Sequence, residues 1–253
     1  MSAPRARRSQ KTATPTPSRE RVPFVTIVTA AGRGVRMGGP KALLAVPGGD
    51  VVGERPLAVA HARTHRDAGA DRVVIVVRTE AASVLAGFAQ RGVEVLVSNA
   101  PDELGPSGSI RCALEYLELP DDAWLCIAPV DSVPVAATTL DALSARAARS
   151  PGVLAVRPVA RGGRRGHPVL VQRRVLEPML AAKPPTLREL LAALGDAART
   201  CSATATTPTT SCAPSGARRA SSSARPAEGA PRIFRAHVFR AYEGGGALRS
   251  RAC

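Results

Sequence analysis

Short apolar runs alternate with longer amphipathic segments along the middle of the chain, from Phe24 to about residue 200. The short runs are rich in β-branched residues and predict strands at 24–30, 72–77, 93–97, 124–128, 153–157 and 168–171. The intervening segments predict helices at 40–46, 55–68, 81–90, 109–119, 135–149, 173–182 and 187–198. Buried strands separated by helices are typical of a mostly parallel sheet covered on both faces. The pattern therefore predicts an α/β fold with three layers, α/β/α.

The pattern also divides the chain. Residues 1–22 are polar and basic and predict a disordered leader, residues 23–200 predict one domain, and residues 201–253 predict a low-complexity basic tail. From Cys201 to Arg232 the only acidic residue is Glu228. Two explanations of the tail remain open. One is a frameshift near residues 199–201 in GC-rich coding DNA, which the 32 Arg against three Lys would fit, and the other is a genuine disordered tail.

Net charge changes this picture little. The chain carries +15, but residues 1–21 hold six basic residues and one acidic residue, and residues 201–253 hold eight and two. The 179 residues between them carry only +4. A folded nucleic-acid reader concentrates basic residues and stacking aromatics on its ordered surface, whereas only 3% of this chain is aromatic. We therefore expect no specific nucleic-acid partner.

Targeting signals and cysteine motifs are equally uninformative. The longest apolar stretch, Pro23–Ala31, is much shorter than the roughly 20 residues that a membrane-spanning helix needs. No signal-peptide pattern precedes it, so we expect a cytoplasmic protein without a membrane partner. The five cysteines form no C-x-x-C pair, which argues against a disulfide or zinc framework.

The strongest candidate for chemistry is the segment AAGRGVRMGGPK, residues 30–41, directly after the first predicted strand. Its glycines allow backbone amides to approach phosphate oxygens, and Arg33, Arg36 and Lys41 add positive charge. It is not a Walker loop, because Ala42 follows Lys41, and Met37 occupies the third glycine position of a Rossmann loop. We predict a different kind of phosphate-binding loop, in which the nucleotide is bound by Ala30, Ala31, Gly32, Arg33 and Gly34.

Three more segments follow predicted strands, at 99–111, 129–134 and 162–168, where parallel sheets place their ligands. Asp131 is a candidate magnesium ligand or, alternatively, the cap of the next helix. Either a nucleotide-binding role or simple helix capping would explain the loop residues Ser107, Gly108, Ser109 and Arg111. Gly166, His167 and Pro168 form a candidate substrate loop or a structural turn. His61 and His65, four residues apart on a predicted helix, are interpreted as helix-surface residues.

These segments together resemble one family. Residues 30–41 closely resemble the A-A-G-x-G-x-R-M-G-x-P-K signature of the molybdenum-cofactor nucleotidyltransferases, which include molybdopterin cytidylyl- and guanylyltransferases. The resemblance continues in GPSGSIRCAL (105–114), PVDSVPV (129–135) and GRRGHPVLV (163–171), and it spans about residues 24–198. It implies a Rossmann-like sheet of the nucleotidyltransferase type. It also implies that Asp131 binds Mg²⁺ facing the α-phosphate.

The resemblance implies an enzyme that transfers a nucleoside monophosphate from a nucleoside triphosphate, CTP in the first place, to molybdopterin, with release of pyrophosphate. Arg36 and Lys41 would then stabilise the departing phosphates. A molybdoenzyme or maturation factor is the implied protein partner. Two alternatives stay open: transfer to a sugar phosphate or other alcohol phosphate, and a nucleotide-binding domain with impaired catalysis, since the tail lacks the family's closing acidic segment.

Overall fold

The computed structural model describes residues 20–47, 54–88, 91–160, 163–202, 237–239 and 250–252. Nearly all of the predicted leader lies outside the described residues. So do residues 203–236, which include most of the low-complexity segment that led to the frameshift hypothesis. Within the described part of the chain, no helix is long and apolar enough to cross a membrane.

Strands and helices alternate as the apolar pattern predicts. The strands are β1 (Phe24–Thr29), β2 (Ala45–Pro47), β3 (Glu54–Pro56), β4 (Arg72–Val77), β5 (Val93–Val97), β6 (Trp124–Pro129), β7 (Ala155–Val159), β8 (Val169–Gln172), β9 (Ala198–Ser202), β10 (His237–Phe239) and β11 (Ser250–Ala252). The α-helices are α1 (Leu57–Asp67), α2 (Thr79–Ala86), α3 (Gly105–Tyr116), α4 (Ala137–Ala148) and α5 (Leu187–Ala193). Turns of 3₁₀-helix occupy Val35–Met37, Lys41–Leu43, Asp102–Leu104, Arg173–Leu180 and Gly195–Ala197.

The main sheet has the strand order β11-β10-β5-β4-β1-β6-β8-β7-β9. From β5 to β9 the strands are parallel except β8, which runs antiparallel to β6 and β7. The short strands β2 and β3 form a separate hairpin. The predicted α/β fold with a mostly parallel sheet is thus confirmed.

Two predicted helices are wrong in part. Residues 40–46 form only one 3₁₀ turn and then β2, which pairs with β3 after Pro40 sets an extended entry. The predicted helix 187–198 ends at Ala193, and Ala198 begins β9, which pairs in parallel with β7. In this second case the edge of β7 offers backbone partners that outweigh the helical pattern of a short segment.

Both faces of the sheet are covered, which gives the three layers. Helices α1, α2 and α4 contribute to one core, with residues such as Ala62, Leu85 and Leu143. The second core lies on the opposite face and includes Ile110 of α3 and Leu191 of α5. Alternate residues of each central strand face the two cores, so β1 is buried along its whole length.

His61 and His65 are buried, so their interpretation as helix-surface residues is wrong. His61 is 2% exposed and His65 is 1% exposed, because both lie on the face of α1 that packs against the sheet, together with Ala58 and Ala62. Nδ1 of His65 lies 3.0 Å from the Thr26 hydroxyl of β1, and Nε2 of His61 lies 2.9 Å from the carbonyl oxygen of Ser132. Burial lowers the pKa of His61, and it lowers the pKa of His65 to about 3.

These shifts predict how stability depends on pH. Between the ordinary histidine pKa of 6.5 and the folded value of about 3, the unfolded chain binds a proton at residue 65 that the folded chain does not. The stabilisation by neutral His65 is therefore complete above pH 6.5 and is lost as the pH falls toward 3. We expect the free energy of unfolding to fall by up to about 1.4 kcal/mol per pH unit from this group.

Urea unfolding of the wild type and of His65→Asn, measured between pH 7 and pH 4, checks this expectation. Asparagine places a polar atom near the Nδ1 position and does not titrate, so the slope of stability against pH should be smaller in the variant. An equal slope in the two proteins would show that His65 is not the group that is kept neutral.

Candidate active site

A cleft of about 630 Å³ opens at the carboxyl ends of β1, β4, β5 and β6. It is the edge of the sheet at which the sequence places the candidate residues. Its walls come from the loop after β1 and from the segments after the other three strands. The lining residues are Thr29, Ala31, Gly32, Arg33, Gly34, Val35, Met37, Lys41, Arg78, Ser98, Ala100, Pro101, Asp102, Gly105, Pro106, Ser109, Pro129, Val130 and Asp131.

The loop after β1 has a backbone shape that requires glycine. Gly34 has φ of 61°, and a Cβ there would lie 1.9 Å from the carbonyl oxygen of Gly39. The amides of Met37 and Gly39 both donate to the carbonyl of Gly34, which closes the loop on itself. Ala31, Gly32 and Gly34 border the cleft with at most a methyl group, so a bound anion can approach their backbone N–H groups.

Lys41 and Asp131 meet across the cleft. Nζ of Lys41 lies 3.3 Å from Oδ2 of Asp131, although 90 residues separate them. The Asp131 side chain is 58% exposed, so its carboxylate remains accessible. The alternative role of helix cap is wrong, since α4 begins at Ala137 after Ala136 and has no side-chain cap.

A second ionic group lies on the opposite wall. Asp102 accepts a hydrogen bond from Arg78, and Nε of Arg33 lies 2.8 Å from its Oδ2. Arg78 also donates to the carbonyls of Ala31 and Ser98, at 3.3 and 3.4 Å. It therefore ties the loop after β1 to the segments after β4 and β5.

Arg78 and Asp102 are site residues that were not predicted from the sequence. Arg78 directly follows β4, and the rule that ligands lie beyond the carboxyl ends of parallel strands would have identified it. Asp102 lies inside the segment 99–111, but nothing in its local pattern distinguishes it from other loop acids.

The predicted nucleotide-binding residues do not all reach the cleft. Ala31, Gly32, Arg33, Gly34 and Ser109 line it, whereas Ala30 is buried beneath the loop, with its amide bonded to Val76. The structure describes the backbone of Arg36 in a 3₁₀ turn, while its side chain lies outside the described part.

The remaining predicted residues of α3 are engaged elsewhere. Ser107 donates to the carbonyl of Pro185, and Arg111 contacts Glu115 and the carbonyl of Ala181. A Cβ at Gly108 would lie 2.8 Å from Cβ of Ala100, so this glycine allows α3 to pack closely. Helix α3 begins at Gly105, which places Ser107 and Ser109 inside the helix rather than at its cap.

The loop with Gly166, His167 and Pro168 lies on the other side of Asp131. It leads into β8, which pairs with β6, and the His167–Pro168 peptide is cis. Partial burial lowers the pKa of His167, the Asp131 charge opposes this change, and the Arg157 charge adds to it. Nε of Arg157, on β7, is buried and has no hydrogen-bond partner among the described residues. His167 is therefore close enough to both Asp131 and Arg157 for their charges to act on its ring.

The donor set fits a divalent metal that arrives with phosphates. Among the described residues, no three His, Cys, Asp or Glu side chains converge into a cage that could hold a metal alone. Mg²⁺ is commonly bound by one or two carboxylates together with substrate phosphates and water. Asp131 supplies one accessible hard oxygen beside a loop suited to phosphates, which matches this mode.

Comparison with known proteins agrees with the geometry. The structure of Rv0371C from Mycobacterium tuberculosis H37Rv, which is a complex with manganese, is 23% identical, with a TM-score of 0.55 over 72% of this chain and 89% of that one. A nucleotidyl transferase from Methanothermobacter thermautotroptrophicus is 22% identical, with a TM-score of 0.53 over 73% and 88%. For 4-diphosphocytidyl-2C-methyl-D-erythritol synthase from Anaerococcus prevotii the values are 12%, 0.51, 72% and 87%.

These likenesses establish the fold. A sequence comparison with curated proteins finds no match. The MobA-like NTP transferase domain, however, matches residues 26–198, which contain the loop after β1, Asp131 and the His167 loop. With the cleft described above, this match shows that the chain is a nucleotidyltransferase and belongs to the MobA-like NTP transferase domain family.

Proposed function

We propose that the enzyme transfers a nucleoside monophosphate from CTP to a phosphorylated small-molecule acceptor such as molybdopterin and releases pyrophosphate. The observation that carries the proposal is the approach of Lys41, at the end of the glycine-rich loop, to the strand-end carboxylate of Asp131 at 3.3 Å. It brings a phosphate-binding cation and a metal-binding oxygen to one point of the cleft. We further propose a cytoplasmic location and delivery of the product to a molybdoenzyme or maturation factor.

In the proposed reaction, an oxygen of the acceptor phosphate attacks the α-phosphorus of the triphosphate. The bond from that phosphorus to the oxygen bridging the α- and β-phosphates breaks, and pyrophosphate leaves. The amides of Ala31, Gly32 and Gly34 bind the triphosphate, while Arg33, Arg36 and Lys41 balance the charge that develops on the leaving group. A magnesium ion held by Asp131 would supply positive charge at the α-phosphate when bound.

The order of the strands supports a proposal in which the two substrates bind on opposite sides of Asp131. On one side of Asp131 lie β1 and β4, together with the phosphate loop and Arg78. On the other side lie β8 and β7, together with His167 and Arg157. In-line transfer needs the attacking oxygen opposite the leaving pyrophosphate. We therefore place the acceptor phosphate on the side of β8 and β7. There the buried, unpaired Nε of Arg157 and the loop of Gly166, His167 and Pro168 can hold it.

The direct test is to incubate the purified protein with each of the four triphosphates and with molybdopterin or a panel of sugar and alcohol phosphates, and to measure pyrophosphate release. Release only with CTP and molybdopterin supports the proposal. Release with another alcohol phosphate would favour the wider alternative. Nucleotide binding without release would favour a domain with impaired catalysis.

Replacement of Lys41 or Arg36 by Met should weaken the binding and turnover of the triphosphate. Each change removes one charge from the phosphate loop, and a charge-assisted hydrogen bond contributes about 1.5–3 kcal/mol, or roughly tenfold to a hundredfold. Steady-state kinetics against triphosphate concentration measure the effect. Arg146→Met is the control, because Arg146 is exposed on α4, a helix that contributes no residue to the lining of the cleft. Wild-type kinetics in both loop variants would exclude the loop from the reaction.

Asp131→Asn should lower the magnesium-dependent rate roughly a hundredfold or more, since metal charge at the phosphate supplies several kcal/mol. Stability should change little, because the side chain is exposed at the end of a strand. Rate against magnesium concentration and the melting temperature are measured together. Asp121→Asn, in the turn that precedes β6, is the control. A variant with the wild-type magnesium curve would remove Asp131 from the metal site.

Arg157→Met should raise KM for the acceptor about tenfold and leave KM for the triphosphate unchanged, because it removes one cation from the acceptor side alone. Arg146→Met, on the exposed face of α4, is the matched control. An increase in KM for the triphosphate instead would show that the two substrates do not bind on opposite sides of Asp131.

A further inference from the structure

Helix α1 reaches the turn that carries Asp131 through one buried side chain. His61 is 2% exposed, and its Nε2 lies 2.9 Å from the carbonyl oxygen of Ser132, the residue after Asp131. A backbone carbonyl can only accept, so Nε2 carries the proton and donates it. Burial lowers the pKa of His61, which agrees with a neutral ring protonated at this nitrogen.

The turn itself is anchored on both sides of Asp131. The amide of Val130 donates to the carbonyl of Thr29 at 3.1 Å, and the Ser132 hydroxyl donates to the carbonyl of Pro129 at 2.6 Å. The Asp131 side chain, in contrast, lines the cleft, and among the described residues its carboxylate is hydrogen-bonded only to the flexible ammonium of Lys41. The direction of its carboxylate therefore depends on the backbone at residues 130–132, and His61 holds that backbone from the helix.

His65 anchors the same face of α1 one turn further along. Its Nδ1 contacts the Thr26 hydroxyl in the middle of β1 and lies 3.8 Å from the sulfur of Cys126 on β6. This contact secures α1 to the sheet, but it is remote from the turn. The two histidines thus have different roles. His65 attaches the helix to the sheet, and His61 supports the turn.

We propose that His61 is a positioning residue, which acts through the Ser132 carbonyl to hold the Asp131 carboxylate in the position from which it would bind a divalent cation. This role rests on the proposed function of Asp131. An apolar side chain would fill the same space on a helix face that also buries Ala58, Ala62 and His65. The imidazole adds one donor, and that donor is directed at the turn.

Two replacements of His61 by amide side chains test the proposal. The amide nitrogen of Gln can replace Nε2, whereas the shorter Asn places its amide near the Nδ1 position and leaves the Ser132 carbonyl without its donor. Mn²⁺ binding is measured by electron paramagnetic resonance with a non-hydrolysable CTP analogue present, alongside kcat and amide hydrogen exchange at residues 130–132. We expect His61→Gln to bind Mn²⁺ like the wild type and His61→Asn to bind it about fivefold more weakly, with faster exchange at the turn.

His65→Leu is the control, because it loosens the same helix without touching the turn. It should lower the melting temperature and leave the Mn²⁺ affinity unchanged. His61→Phe, which fills the ring volume without a donor, replaces His61→Asn if the latter fails to fold, and it should bind Mn²⁺ as weakly.

The outcomes separate this role from the proposed function. Equal Mn²⁺ affinity in the wild type and the donor-free His61 variants, or equal weakening in His65→Leu, would overturn the positioning role alone. Failure of the wild type to bind Mn²⁺ with the analogue would instead overturn the proposed function, and the positioning role with it.

Discussion

Parallel pairing of β1 with β4 and β6 determines where the chemistry lies. Thr29 of β1 is in register with Val76 of β4 and with Pro129 of β6. Ala31, Arg78 and Asp131 each follow two residues beyond that common rung. Because parallel strands end at the same edge, the hydrogen bonds of the sheet bring these three residues together before any side chain interacts. Burial of β1 on both faces leaves this register little freedom to slip.

The charged side chains of the cleft suit a ligand that carries more negative charge than the two acidic side chains whose ion pairs it would replace. Among the described lining side chains, Arg33, Lys41 and Arg78 face only two acids, Asp102 and Asp131. Both acids form ion pairs with these cations, Asp102 with Arg33 and Asp131 with Lys41, and exposed pairs of this kind contribute only about 1 kcal/mol or less. A triphosphate with its cation can therefore replace these contacts at small cost, which makes the arrangement suited to binding and release.

The strands and the loop could be predicted because their signals are local. The continuous β-branched runs gave β4 and β5 with the observed bounds, and the density of Gly, Arg and Lys identified the loop after β1. Residues whose role depends on tertiary contacts were missed. The prediction that His61 and His65 lie on the helix surface is wrong, and Ala58, His61, Ala62 and His65 form one i, i+3, i+4, i+7 face, a pattern that indicates a buried stripe. Strand β9 was not predicted, because it forms only by pairing with the edge of β7, which lies far away in sequence.

The most direct measurement is a crystal structure with a non-hydrolysable CTP analogue and Mn²⁺, with anomalous scattering used to locate the metal. The proposed function predicts the β- and γ-phosphates over the loop of Gly32 and Gly34, with Lys41 turned toward them. It also predicts an anomalous peak within coordination distance of both Asp131 and the α-phosphate. A nucleotide bound outside the cleft, or a metal bound without Asp131, would contradict it.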